Sequence, residues 1–288
     1  MRMMRVLVLG ANGMFGSMIA TVLSRSEGLE VEQTVRASAK RHGGMADVET
    51  HRLDVLDEAA LSAVIKAANP DVVINCTGLI KQHAIASDAL VIFPINALFP
   101  HKLARLCAGM GIRVIQFSTD CIFSGKDGNY ADDAPSDADD YYGTSKRIGE
   151  ITDMSNALTL RTSIIGHEAF EALQLVDWFL SQSGSVKGYA RAIFTGFPTV
   201  EIGNVLRDYV LGNEALSGVY NLSADPISKL DLLGLIRDEY GHNIEIIPDS
   251  DVRIERSLNS DRFRAETGYT PPDWPTLVKK MHDTKPTF

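Results

Sequence analysis

An α/β fold is what this sequence predicts: a doubly wound parallel sheet followed by a smaller C-terminal lobe. Three observations carry it. Short β-branched runs alternate with longer helical patterns through the first half. Three glycines, Gly10, Gly13 and Gly16, stand directly between the first apolar run and the first helical pattern. Beyond about residue 164 the rhythm loosens into the glycine-rich "GSVKGYARAIFTGFPT" and short strands such as "GVYNLS" and "NIEIIP". The expected division is residues 1–163 for the sheet and 164–288 for the lobe, with residues 198–213 a candidate to fold back onto the sheet.

Taken in order, "RVLVLG" is a buried strand and residues 13–25 a helix. "VEQTVR" and "HRLDV" are the second and third strands, and residues 57–68 a helix opened by Asp57 and closed near "NPD". "DVVINCTG" is the fourth strand, residues 95–109 a helix, and "IRVIQFSTD" the next strand. The stretch from Asp140 to about Asn156 has helical spacing, and "ALTLRTSIIG" closes this part of the sheet. In the lobe, "YNLSADPISKLDLLGLIRDEYG" reads as a strand and a helix capped by Ser228, with apolar residues at 230, 232, 233 and 236.

Composition narrows the function classes. The 288 residues are 45% apolar and 23% charged, as in an ordinary folded domain, and the apolar runs are strand-sized, so no membrane-spanning helix is expected. "MRMMRVLVLG" leads straight into a glycine turn and not into a leader's long apolar region, which favours a cytoplasmic protein. A net charge of −9, from 28 basic and 37 acidic side chains with no dense basic cluster, argues against nucleic-acid binding. Cys76, Cys107 and Cys121 form no CxxC pair and are read as buried free thiols.

The chemistry starts at "LVLGANGMFGSMIA". Gly10 would make a tight turn, Gly13 would let phosphates approach the backbone, and Gly16 would let helix and strand pack. The free amides of a helix N-terminus would then face a pyrophosphate. With Asn12, Met14 and Phe15 between them, these residues form a candidate dinucleotide loop, which makes the sheet Rossmann-type. At the end of the second strand an acid would bond a ribose 2′-hydroxyl and a base would accept a 2′-phosphate. Arg36, Lys40 and Arg41 stand there without an acid, favouring NADP(H) over NAD(H); solvated surface charge is the competing reading. Asp54, beside Val55, can meet an adenine amino group, or cap the next helix, for which Asp57 is better placed.

In "YYGTSK", residues four apart on a helix differ by about 40° in direction and residues five apart by about 140°. Tyr142 and Lys146 therefore share a face, and Tyr141 points elsewhere. A phenol beside an ammonium is a usable proton donor near neutral pH. The hydroxyl of Thr119 or Ser118, at the end of an apolar strand, lies where it could polarise a carbonyl oxygen.

With Gly10-xx-Gly13-xx-Gly16, Asp54, "NCTG" at 75–78, "STD" at 118–120 and Tyr142-xxx-Lys146 in that order, the sequence resembles the extended short-chain dehydrogenases/reductases. Within them it is most similar to the dTDP-4-dehydrorhamnose reductase branch, through "STDCIFSGKDGNY", "YYGTSKRIGE", "LRTSIIG" and "FPT". The resemblance implies a catalytic trio: Tyr142 protonating the oxygen as hydride arrives, Thr119 bonding that oxygen, and Lys146 lowering the phenol pKa while holding the nicotinamide ribose. It implies cofactor contacts from Asn75, Cys76, Thr77 and Gly78, and a role for Asn96 in supporting the lysine, against a helix-start cap or turn. Substrate contacts would come from Lys81, Thr119, Cys121, Phe123 and Tyr142.

The branch usually has tyrosine where this chain has Cys121, and "CTGLIKQHA" replaces an alanine-rich turn, so the sugar pocket is expected to differ. Lys81 is weighed there against a surface lysine, and Lys187, Arg191, Arg253 and Arg256 are further candidates for a diphosphate. His167 and Glu168 lack additional metal ligands and read as a polar edge; no metal is expected. The acids at 132, 133, 137, 139 and 140 read as a solvated loop whose last members favour the following helix N-terminus.

The expected activity is NADPH-dependent reduction of the 4-keto group of a nucleoside-diphosphate 4-keto-6-deoxy sugar, in deoxysugar and surface-polysaccharide biosynthesis. The alternatives are a nucleotide-sugar epimerase or dehydratase with tightly bound NAD, and a non-catalytic subunit resembling the beta subunit of methionine adenosyltransferase. A homodimer is the candidate assembly.

Overall fold

A strand that is apolar at every position needs cover on both faces. The first strand, β1 (Met4–Leu9), obtains it: Val6 and Val8 point into one core, Leu7 and Leu9 into another, and all four are buried. In the computed structural model, which describes residues 2–36, 46–81, 84–168 and 174–286, the same alternation runs through the sheet. Then follow α1 (Met14–Ser24), β2 (Leu29–Val35), β3 (Thr50–Arg52), α2 (Glu58–Ala68), β4 (Val72–Asn75), α3 (Ala89–Phe93), α4 (Phe99–Ala108), β5 (Arg113–Ser118), α5 (Tyr141–Ile148) and β6 (Ala157–Arg161). The second half adds β7 (Ile164–Ile165), α6 (Leu175–Ser181), β8 (Ser185–Phe194), β9 (Phe197–Pro198), α7 (Thr199–Val205), β10 (Gly218–Asn221), β11 (Ile227–Ser228), α8 (Lys229–Glu239), β12 (Glu245–Glu255), α9 (Asp261–Thr267) and α10 (Trp274–Asp283).

Seven strands form the main sheet in the order β3-β2-β1-β4-β5-β6-β10, every neighbouring pair parallel. On one face, α1 supplies Ile19, Ala20 and Leu23 to a core shared with Ile202 and Val205 of α7. On the other, α2 gives Leu61 and Ile65, and α4 gives Phe99, Leu103 and Cys107. This is a doubly wound Rossmann-type α/β sheet. The direction of strand succession reverses between β1 and β4, so the loops leaving their carboxyl ends diverge and open a crevice.

Local signals explain most element ends. Asp57 caps α2 by accepting from the Ala60 amide, and Asn69, in the left-handed region at φ 42°, closes it. Ser228 caps α8 as expected, accepting from the Asp231 amide. Between α3 and α4 the residues Pro94–Leu98 form a π turn, so the helical run extends over Ala89–Ala108. It is the one helix among the described residues long and apolar enough to cross a membrane by length and composition, but Ile92, Ala97, Phe99 and Leu103 are buried in the cores.

Three expectations require correction. "GVYNLS" does not belong to the second lobe: its first four residues are β10, which pairs with β6, and "ALTLRTSIIG" therefore does not close the sheet. The chain beyond residue 163 completes the main sheet, and α7 lies so close to α1 that a Cβ on Gly203 would sit 2.9 Å from Val22. The helix expected to run to Asn156 stops at Ile148, because Gly149 passes the carbonyl of Asn96 where a Cβ would come within 2.0 Å. "NIEIIP" is only the start of a longer strand: β12 flanks β8 in a second sheet, β11-β8-β12, with a bulge between Asp249 and Arg253. Helix α8 lies on that sheet, where Gly188 leaves room for Leu230 and Ile246.

Candidate active site

The turn after β1 is built by exclusion. Gly10 has φ +85°, a left-handed conformation that glycine tolerates, and a Cβ there would meet Thr77 Cγ2 at 3.0 Å. A Cβ on Gly16 would lie 2.3 Å from the Gly10 carbonyl oxygen, so this glycine lets α1 press onto the turn. Gly13 differs: among the described residues a Cβ would meet only Gly10 O, at 3.8 Å. Gly13 is also the N-cap of α1, where no side chain caps the helix among the described residues and the first turn holds no acid. The amide end of α1 is thus open to an anion, and Asn12 Oδ1 beside it is buried without a described partner. These features fit a dinucleotide's pyrophosphate. Met14 faces Gly166 across the crevice, whereas the ring of Phe15 turns away to pack edge-on against Phe117 at 4.6 Å.

The end of β4 forms the opposite wall. Asn75 is buried, donates to Gln116 Oε1 at 2.7 Å, and accepts from both the amide and the hydroxyl of Thr77 at 3.1 and 2.5 Å. That clamp bends "NCTG" against Gly10. Burial pushes the Cys76 thiol up, with the Lys146 charge pulling the other way. All three cysteines are free thiols, Cys107 buried and the others half-buried. Asn96, in the π turn, exchanges bonds with the Leu79 backbone at 2.9 and 3.0 Å and donates to Ser145 Oγ at 3.3 Å. It therefore ties the β4 loop to α5 and supports the lysine's helix.

Arg36 is exposed immediately after β2; Lys40 and Arg41 lie outside the described residues. Asp54 is exposed after β3, beside half-buried Val55, and accepts from the Leu56 amide at 3.0 Å, leaving the helix cap to Asp57.

Helix α5 opens on Asp140, which accepts from the Gly143 amide at 2.7 Å. A Cβ on Gly143 would come within 2.4 Å of the Cys121 carbonyl oxygen, so the helix lies directly against the segment after β5. Tyr142 faces inward, and burial holds its phenol above the ordinary range, with the Thr119 hydroxyl opposing. Tyr141 is 50% exposed and rests edge-on against Phe93 at 6.0 Å. Thr119 accepts from the Cys121 amide and donates to Asp120 Oδ1, both at 3.2 Å. Lys146 donates to the Phe117 carbonyl at 2.6 Å, and burial brings its ammonium down from 10.5 to about 8. The expected lowering of the phenol by Lys146 is not what the geometry provides: the ammonium is turned to a carbonyl, and burial dominates at Tyr142.

Several residues do not reach the crevice as expected. Phe123 is fully buried and stacked on Tyr130 at 4.1 Å, because it belongs to a small core with Ile122 and Leu258. Lys81 is 53% exposed and paired with Asp140 at 2.6 Å, on the outer side of the α5 cap. Lys187 pairs with Asp249 at 2.8 Å. Arg256 bonds the Phe123 carbonyl at 2.8 Å, near Cys121, whose thiol burial pushes up to about 12. His167 is held between Asp177 at 2.7 Å and Tyr240 at 2.8 Å, and Asp177 also accepts from the Glu168 amide, a hydrogen-bonded clasp at the start of the lobe. Of the acidic loop, Asp137 binds Ser124 and Asp140 caps α5. Residue patterns alone missed Glu150: its carboxylate is buried, takes two bonds from Arg161 at 2.7 and 2.8 Å and one from Ser118 at 2.7 Å.

Comparison with known proteins follows the same outline. A dTDP-4-dehydrorhamnose reductase of Streptomyces griseus is 31% identical over 147 residues, covering 51% of this chain and 43% of that protein. The match thus spans less than half of that relative's length. The dTDP-4-dehydrorhamnose reductase of Bacillus anthracis, solved in complex with NADP, superposes with a TM-score of 0.77 at 17% identity, covering 97% of this chain and 99% of that one. WbmG of Bordetella bronchiseptica, solved with NAD and UDP, gives a TM-score of 0.80 at 17% identity over 98% and 94% of the two chains. The model of the RmlD substrate binding domain matches residues 4–284, from the first strand to just past the last helix, and the chain belongs to that family.

Proposed function

We propose that this chain is an NADPH-dependent reductase of the 4-keto group of a nucleoside-diphosphate 4-keto-6-deoxy sugar, serving deoxysugar and surface-polysaccharide biosynthesis. The observation that carries the proposal is a convergence: an open glycine turn after β1 and the set Thr119, Tyr142 and Lys146 at the end of the neighbouring part of the sheet. Family membership and the reductases named above support it.

A bound NADPH supplies the hydride. Tyr142, kept protonated through the neutral range by burial, gives its phenolic proton to the substrate oxygen. Thr119 hydrogen-bonds that oxygen, and its bond from the Cys121 amide fixes the direction of its hydroxyl. Lys146, charged below about pH 8, seats the nicotinamide ribose and steadies the tyrosinate left after proton donation. Cys121 and Arg256 stand nearest the substrate side, which gives this pocket a different wall from one lined by tyrosine.

The preference for NADPH rests on Arg36, exposed after β2 where a 2′-phosphate would lie. Arg36→Ala should raise KM for NADPH by about tenfold, the loss of roughly one charge-assisted contact, and leave KM for NADH unchanged. Equal effects on both would end the assignment. For the activity itself, a panel of nucleotide 4-keto sugars followed by NADPH absorbance should show turnover with 4-keto-6-deoxy substrates. Purified protein that carries tightly bound NAD and consumes no NADPH would instead mark an epimerase or dehydratase.

A further inference from the structure

Lys146 and Glu150 take hold of consecutive residues at the end of β5. The lysine ammonium donates to the Phe117 carbonyl at 2.6 Å, and the Ser118 hydroxyl donates to Glu150 Oε1 at 2.7 Å. Thr119, the next residue, carries the hydroxyl assigned to the substrate oxygen. Glu150 is not a surface acid that happens to reach inward. Its side chain and that of Arg161 are both nearly sealed from solvent, and Arg161 grips both of its oxygens from β6 while bonding the Asp132 carbonyl at 2.7 Å. The turn that brings Glu150 there requires Gly149, which passes the Asn96 carbonyl without room for a side chain.

We propose that Glu150, locked by Arg161 and Ser118, is a positioning residue for the reaction: it keeps Lys146 charged and seated beside the last residues of β5. The link to catalysis rests on the reductase reading; the link between Glu150 and Lys146 does not. Around the ammonium stand Cys76 after β4, Tyr142 on the same helix, Glu150 after it and Arg161 behind Glu150 on β6. Burial keeps the Cys76 thiol and the Tyr142 phenol in their neutral forms. Glu150 is then the standing negative charge among the described groups that bear on the lysine. Burial lowers the ammonium to about 8 and Glu150 opposes that shift. The lysine is charged below its midpoint and neutral above it, so removing the carboxylate should lower the midpoint further. A merely structural ion pair would leave it where it is.

The test follows Lys146 in the whole chain without cofactor, by NMR of lysine labelled at the ε-carbon, its signal assigned with Lys146→Arg. In the unsubstituted protein the midpoint should lie near 8. In Glu150→Gln it should fall by about one pH unit, a tenfold loss of the charged form at a fixed alkaline pH. Since that variant strands the Arg161 charge and could fail to fold, the double variant Glu150→Gln/Arg161→Gln is measured as well. Its midpoint should fall by less, because a positive charge leaves with the negative one. Glu150→Asp should recover part of the shift. A folded variant whose Lys146 midpoint stays at the original value overturns the proposal. Where turnover is found, the alkaline limb of kcat/KM should move down with the NMR midpoint; a limb that stays fixed would remove the catalytic half. A moved midpoint in a protein that reduces no 4-keto sugar would leave the Glu150–Lys146 link standing and reject the reductase reading.

Discussion

Tyr142→Phe should lower kcat by roughly 10³-fold with a nucleotide 4-keto sugar, within the range that a positioned general acid supplies, while NADPH still binds. The substitution removes one oxygen and keeps the ring that fills the space between α5 and the segment after β5. Gly143, which lets the helix approach Cys121, is untouched, so the backbone of the site should survive. Binding and chemistry can therefore be separated by titrating NADPH fluorescence against single-turnover absorbance. Near-normal turnover would mean that the proton comes from elsewhere, and the burial that keeps this phenol protonated would have another purpose.

Gly16→Ala is the second large effect, and its sign is informative. Inside a helix alanine is ordinarily better than glycine by up to about 1 kcal/mol. Here the added Cβ would come within 2.3 Å of the Gly10 carbonyl oxygen and 2.8 Å of its carbon, both backbone atoms that cannot rotate away. Relief requires α1 to lift from the turn, at a cost of about 1–3 kcal/mol by analogy with overpacked cores. That movement would also carry the amide end of the helix off the pyrophosphate, so the Kd for NADPH should rise at least about tenfold, the equivalent of one good hydrogen bond. Gly13→Ala is the contrast. Its Cβ meets nothing closer than 3.8 Å, so the melting temperature should hold while cofactor affinity falls. Equal melting losses in both variants would contradict this division of labour between the glycines.

The parts of the molecule that could be read in the residues are those whose causes are local. The β1 turn, the capped start of α2 and the shared face of Tyr142 and Lys146 all follow from neighbours a few positions apart. What escaped depends on distant partners. Helix α5 ends where it does because Asn96, some fifty residues earlier in the chain, occupies the space beside Gly149. Phe123 looked like a pocket wall by its position after "STD", yet Tyr130 and Leu258 enclose it. Glu150 had no visible function until Arg161 and Ser118 met on its carboxylate. A four-residue strand such as β10 carries no information about which of two sheets it will join; pairing with β6 decides it.

That strand has a mechanical consequence. The chain leaves the main sheet after β6, returns between β8 and β10, leaves again between β10 and β11, and comes back after β12, where α9 lies against β10. Two bodies stitched together so often cannot swing on one tether as a jaw does, because each connection would have to bend in concert. Substrate must therefore be accommodated chiefly by adjusting side chains and short loops within a nearly fixed mouth. In such a molecule, a change of sugar preference is a matter of which atoms line the opening, and a few substitutions around Cys121 and Arg256 could redirect it without disturbing the frame.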